Sequence, residues 1–152
     1  MKTYKTLISE RTLKVSEKNT TFKKAKIRVS RDAADYIRQF YYDDIEIFES
    51  VFILLINMSN NVIGFAKISQ GGINSSIVDV KIIAKYAIDT LATGIILAHN
   101  HPTGNIQPSE NDITITKKVK DTLDIFGCQL LDHIIITNDK DRYFSFADDG
   151  IL

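Results

Sequence analysis

Only one cysteine and two prolines stand among 152 residues, and basic and acidic side chains cancel at 19 each. Each shortage excludes something. A lone Cys128 can form neither an internal disulfide nor a cysteine-rich zinc site, and a disulfide-free chain suits a reducing cytoplasm. A net charge of zero provides no overall positive field to draw the chain to nucleic acid or to an anionic membrane, although a local basic patch escapes that count. No apolar run approaches the ~20 residues of a membrane helix, and MKTYKTLISERTLKV at the amino terminus holds no continuous apolar stretch of the secretory kind. The expectation is a soluble cytoplasmic protein without a membrane partner. A single domain of this length buries about two-thirds of its unfolded surface, so a core requires no disulfide or oligomer, and oligomerisation is left open.

What is present reads as alternating elements. Residues 1 to 28 mix short alternations such as Leu13 and Val15 with lysines and threonines, and are expected to form an amino-terminal arm or edge strand ahead of a domain over 29–152. Ser30 is placed to cap a helix in SRDAADYIRQFYY, with Ala34, Ile37 and Tyr41 on one stripe. VFILLINMSNNVIGFAKIS is two β-rich runs about the turn Ser59-Asn60-Asn61, expected as a hairpin in the middle of a sheet. Asp79 opens DVKIIAKYAIDTLA, whose Val80, Ile83, Ala84, Ala87, Ile88 and Leu91 follow helical spacing. Gly94 precedes IILAH, a short buried strand that ends where the histidines begin. SENDITITKKVKDTLDIFG reads as a helix stopped by Gly127, and CQLLDHIIIT and RYFSF as strands joined through Asn138-Asp139-Lys140-Asp141. The order helix, hairpin, helix, strand, helix, strands describes an α/β layered domain with a mixed sheet.

Both prolines and two of the three histidines fall in one stretch, HNHPTGNIQPSEND. Residues two apart on a strand point to the same side, so His99 and His101 can present their imidazoles to one point before Pro102 turns the chain away. The following helix start can return Asp112 to that point. Two neutral imidazoles and a carboxylate suit Zn2+ and leave the fourth tetrahedral position for water. Taken alone, His-x-His more often marks solvent-facing or core imidazoles, and Ser109-x-x-Asp112 has the form of a helix capping box. The cap and the metal reading are compatible, because Ser109 can start the helix that aims Asp112 inward.

The full spacing, His99-Asn100-His101-Pro102, six residues, then Ser109-x-x-Asp112, resembles the JAMM motif of the JAB/MPN metalloprotease superfamily. Within it, the chain is similar to the RadC family of bacterial proteins, which carries a traditional DNA-repair label. IEIFESVFILLIN, SQGGINSSIVDVK, GIILAHNHPTGNIQPSENDITIT, LLDHIIIT and YFSFADDGIL have RadC-like counterparts in the same order, from about Ser30 to the carboxyl end. Thr103 stands where such chains more often have serine, and Lys81 where they usually have arginine. The resemblance implies a three-layer α/β fold related in layout to deaminases, its central mixed β-sheet flanked by helices. It implies one Zn2+ held by His99, His101 and Asp112, Glu49 as general acid/base and Ser109 as hydrogen-bond donor to a developing oxyanion. Longer RadC relatives carry a helix-hairpin-helix segment that residues 1 to 28 are too short to hold, which weakens a DNA-binding role expected of that segment.

Several residues compete with this assignment. IEIFE offers Glu46 as well as Glu49 near one strand start, and only the family pattern prefers Glu49. Asp132-His133 has the look of a catalytic dyad, but no serine or cysteine nucleophile is placed by spacing, so His133 is read as structural or as support for the metal ligands. Cys128 is read as a buried small side chain. Asn100 is read as steadying the loop between the ligands, and Gly71-Gly72 as allowing a tight backbone approach. SQGGINSS lacks the Lys-Ser/Thr pair of a phosphate-binding loop. Lys23, Lys24, Lys26 and Arg28, with Phe22, read as a solvated face before a phosphate contact. A zinc base deaminase is excluded, since its Pro-Cys-x-x-Cys needs a second cysteine. The expected activity is zinc-dependent hydrolysis of a peptide or isopeptide amide in a peptide or protein substrate. The alternative is a DNA-associated factor with little peptidase activity, against which balanced charge predicts no tight binding of duplex DNA by this chain alone.

Overall fold

The computed structural model of the chain describes residues 20–71 and 77–152. Its elements follow in the order α1 (Ser30–Arg38), β1 (Ser50–Ile56), β2 (Val62–Gln70), α2 (Val80–Thr90), β3 (Gly94–Asn100), α3 (Glu110–Ile125), β4 (Gln129–Ile136) and β5 (Tyr143–Ser145). The strands form one sheet in the order β2-β1-β3-β4-β5. β3 and β4 run parallel while the other neighbours are antiparallel. The parallel pair requires a crossover, and α3 provides it.

β1 and β3 are buried at every residue, which is why SVFILLI and GIILAHN show almost no polar alternation. Their alternate side chains nevertheless go to different layers. Val51, Ile53, Leu55, Ile95 and Leu97 pack with Ile83 and Ala87 of α2 and with Val119 and Leu123 of α3. Phe52, Leu54, Ile56, Ile96 and Ala98 pack with Ala33, Ala34 and Ile37 of α1. The result is three layers, with α1 on one face of a mixed sheet and α2 and α3 on the other. No helix among the described residues is long and apolar enough to cross a membrane.

Three local expectations need correction. Among the described strands the hairpin does not lie in the middle of the sheet: β1 is interior, but β2 is at the edge. β2 buries only some of its residues, and its exposed positions suit the edge of the sheet formed by the described strands. Helix α1 has Val29 in the cap position and begins at Ser30. Asp32 accepts from the Arg28 and Val29 amides at 2.8 and 3.2 Å, while the Ser30 hydroxyl bonds Tyr143 Oη at 2.9 Å and the Asp148 carboxylate. Distant partners thus draw Ser30 away from capping. The last strand holds only Tyr143–Ser145 of RYFSF.

Elsewhere the terminators act locally. Asp79 caps α2 by accepting from the Lys81 amide at 2.9 Å. Gly127, at φ 68°, takes the left-handed turn after α3. The described part of the arm docks on the domain. The Val62 amide donates to the Ala25 carbonyl at 2.8 Å and the Ile27 amide to the Asn60 carbonyl at 2.9 Å. Phe22 packs edge-on against Phe40 and Phe65, with centroids 5.1 and 5.4 Å apart. The rest of the arm, Gly72 and most of SQGGINSS lie outside the described residues.

Candidate metal centre

Strand β3 delivers both histidines. His99 pairs with Val51 of β1, and His101 follows the strand while its amide still donates to the Ile136 carbonyl at 2.9 Å. Strand alternation therefore extends through His101, and Pro102, which has no amide hydrogen, ends it. Gly104, at φ 82°, turns the chain back, so that the Asn105 carbonyl lies 2.7 Å from His101 Nδ1.

Helix α3 delivers the carboxylate. Ser109 is its N-cap: the Ser109 Oγ accepts from the Asp112 amide at 3.1 Å, and Asp112 Oδ2 accepts from the Ser109 amide at 2.7 Å and hydroxyl at 2.8 Å. The capping box and the convergence expected of Asp112 thus coexist. His99 Nε2 lies 3.2 Å from Asp112 Oδ1, and His101 Nε2 lies 3.4 Å from Asp112 Oδ2. The two Nε2 atoms are 2.9 Å apart, and the three potential ligand atoms all lie within 4.8 Å of one another.

Proton bookkeeping tests whether these donors fit a cation. A carbonyl only accepts, so the contact with Asn105 puts the proton of neutral His101 on Nδ1 and leaves Nε2 with a lone pair. That lone pair, a second imidazole and a carboxylate meet at one point, an arrangement favoured by positive charge between them. The donor set, two imidazoles and one carboxylate, matches an open zinc site. The same electrostatics govern titration. Burial disfavours the His101 cation, but hydrogen bonds to Asp112 and Asn105 and the charges of Asp112 and Glu49 outweigh it and raise its pKa. Burial likewise opposes the Asp112 carboxylate, yet the adjoining His101 and His99 and the Ser109 amide hold it well below the usual carboxylate range.

Behind His99 lies a line of polar contacts. His99 Nδ1 is 2.8 Å from His133 Nε2, His133 Nδ1 is 2.6 Å from Thr116 Oγ1, and the Thr116 hydroxyl donates to the Asp112 carbonyl at 2.5 Å. Burial, then the neighbouring His99, push His133 well below the ordinary histidine pKa. Asp132 does not form a dyad with this ring. It accepts from the His133 amide at 2.7 Å, the Ser145 hydroxyl at 2.6 Å and the Ala147 amide at 3.0 Å. Sequence reasoning missed Thr116. The available signal was its position four residues after Asp112 on the stripe Asp112, Thr116, Val119, Leu123, all buried.

Glu49 lines a cavity of about 300 Å3 together with Val51, Val78, Leu97, His99 and Asp112. It precedes β1 by one residue, and the Val51–His99 register brings it towards the level of His101. Glu46 is exposed and bonds Asn138, and of these two carboxylates only Glu49 lines the cavity. Asn100, between the histidines, is fully buried. Its Oδ1 accepts from the Ser50 amide at 2.7 Å, and its Nδ2 donates to the Ile45 and Phe48 carbonyls at 2.6 and 2.9 Å. It therefore clamps the loop that carries Glu49. Cys128 is buried, and Lys23, Lys24, Lys26 and Arg28 are exposed.

A three-layer α/β domain with a His-His-Asp cluster at the end of an interior strand is the class that fold and site define. The family model for the RadC-like JAB domain matches residues 27–151, and the chain belongs to that family, within the JAB/MPN superfamily. It is 48% identical to a UPF0758 protein of Flavobacterium johnsoniae over 104 residues, 68% of this chain and 44% of the relative. A UPF0758 protein of Fusobacterium nucleatum is 38% identical over 148 residues, 97% of this chain and 57% of the relative. The chain thus spans about half the length of these curated relatives.

Proposed function

We propose that this chain is a zinc-dependent hydrolase that cleaves a peptide or isopeptide amide with Glu49 as general acid/base. One observation carries the reading: His99, His101 and Asp112 converge, while Glu49 lines the same cavity from the loop that leads into β1. The superfamily resemblance supplies the amide. When bound by His99, His101 and Asp112, zinc lowers the pKa of water to about 7 and polarises a carbonyl. Glu49 accepts a proton from the attacking water and delivers it to the leaving amine. Ser109 donates to the oxyanion, for which its hydroxyl must rotate away from Asp112 Oδ2. Val51, Val78 and Leu97 exclude bulk water and strengthen these charges. The setting is the reducing cytoplasm, consistent with the buried free thiol of Cys128.

Paired variants test the roles. Glu49→Gln keeps size and hydrogen bonding, so zinc content and melting temperature stay near wild type while hydrolysis falls by ~10² or more. His99→Ala loses zinc as well as activity. Loss of zinc from Glu49→Gln would make Glu49 a ligand, and full activity would move the base elsewhere. Proteomic comparison of cleavage products between wild type and Glu49→Gln identifies the substrate.

A further inference from the structure

We propose that His133 and Thr116 select the tautomer of His99, acting as positioning residues that keep its Nε2 free for a cation. Every proton direction follows from the far end of the chain of contacts. The Asp112 carbonyl can only accept, so the Thr116 hydroxyl at 2.5 Å gives it its single proton. Thr116 Oγ1 can then only accept from His133 Nδ1, 2.6 Å away. His133 is 1% exposed and stacks on Phe146 with centroids 4.6 Å apart. Its two nitrogens meet a hydroxyl and an imidazole, and no carboxylate among the described residues bonds them, so the ring is held neutral. With the proton on Nδ1, His133 Nε2 must accept, and His99 Nδ1 at 2.8 Å must donate. His99 Nε2 is left with a bare lone pair facing Asp112 and His101.

The line closes on itself. Asp112 anchors it through a backbone carbonyl and meets its other end through a carboxylate. Helix α3, strand β4 and strand β3 are thereby tied at one point, so the ring of His99 is oriented as well as its proton. Without an acceptor at His133, the Nδ1–H of His99 would be a buried donor with no partner. The proton then moves to Nε2, where Asp112 accepts it and the cation's lone pair is lost.

Histidine nitrogen NMR of metal-free protein at mildly alkaline pH reads this directly, since only three imidazoles contribute. Wild type shows Nδ1–H at His99. Thr116→Val touches neither His99 nor the cluster's donor atoms, yet it removes the acceptor for His133 Nδ1–H. The His133 proton shifts to Nε2, and His99 inverts to Nε2–H. His133→Phe keeps the ring against Phe146 and produces the same inversion. His133→Gln restores Nδ1–H, its amide oxygen accepting from His99 and its nitrogen donating to Thr116. Affinity for Zn2+, measured by chelator competition, falls ~10–100-fold in Thr116→Val and His133→Phe, and Gln recovers most of the loss. If His133→Phe fails to fold, Thr116→Val carries the test. His99 remaining Nδ1–H in folded Thr116→Val, or no recovery in folded His133→Gln, overturns the proposal. The zinc consequence rests on the function proposed above: wild type that binds no zinc ends that function, whereas the tautomer still decides the relay.

Discussion

Asp112 and Asp132 are both buried carboxylates, and their surroundings push them in opposite directions. The adjoining His101 and His99 and the Ser109 amide hold Asp112 ionised. At Asp132 burial dominates, and the Ser145, Ala147 and His133 bonds do not offset it, so its pKa is raised. A raised folded pKa contributes stability that is fully present below the unfolded value of about 3.9 and is lost as pH rises through the folded value. Asp132→Asn stays neutral throughout and can retain the two backbone bonds to Oδ1. Its stability relative to wild type is therefore expected to grow as pH rises from 4 towards 7. Urea midpoints across that range check this, and a pH-independent difference would contradict it. Asp132 also explains why the Asp-His pair misleads in sequence, since a dyad needs the two side chains to bond each other, and this carboxylate bonds two backbone amides and the Ser145 hydroxyl instead.

At the scale of elements, one strand end serves two layers. His99 and His101 turn towards α3, while Asn100 turns the other way and fastens the loop before β1. Asn100→Leu fills similar space but leaves the Ser50 amide and two carbonyls without their partner. An expected loss of about 3 kcal/mol in urea unfolding follows from the cost of unsatisfied buried groups, together with reduced hydrolysis at retained zinc content. A loss under about 1 kcal/mol would mean that the loop is held by other contacts. The histidine spacing, the Ser-x-x-Asp cap and the three helices were legible in sequence because each depends on neighbours a few residues apart. Thr116 against His133, Ser30 against Tyr143, and β2 as an edge were not, because their partners are set by how separate elements pack.

For the whole molecule, balanced charge decides the expectation for nucleic acid. Lys23, Lys24, Lys26 and Arg28 are exposed, but they are a short run in a chain of zero net charge. Titration against labelled duplex at near-physiological salt is expected to give no tight complex. Nanomolar, sequence-specific binding would promote the DNA-associated alternative. The placement of the candidate ligands has a further consequence. His99, His101 and Asp112 sit in one continuous stretch of chain, whereas Glu49 arrives from a loop far earlier, fastened there by Asn100. Partial opening need not affect them together. On the function proposed above, a molecule whose early loop has detached keeps every donor atom for the cation and loses its proposed base, so capture of metal and turnover of substrate would fail independently.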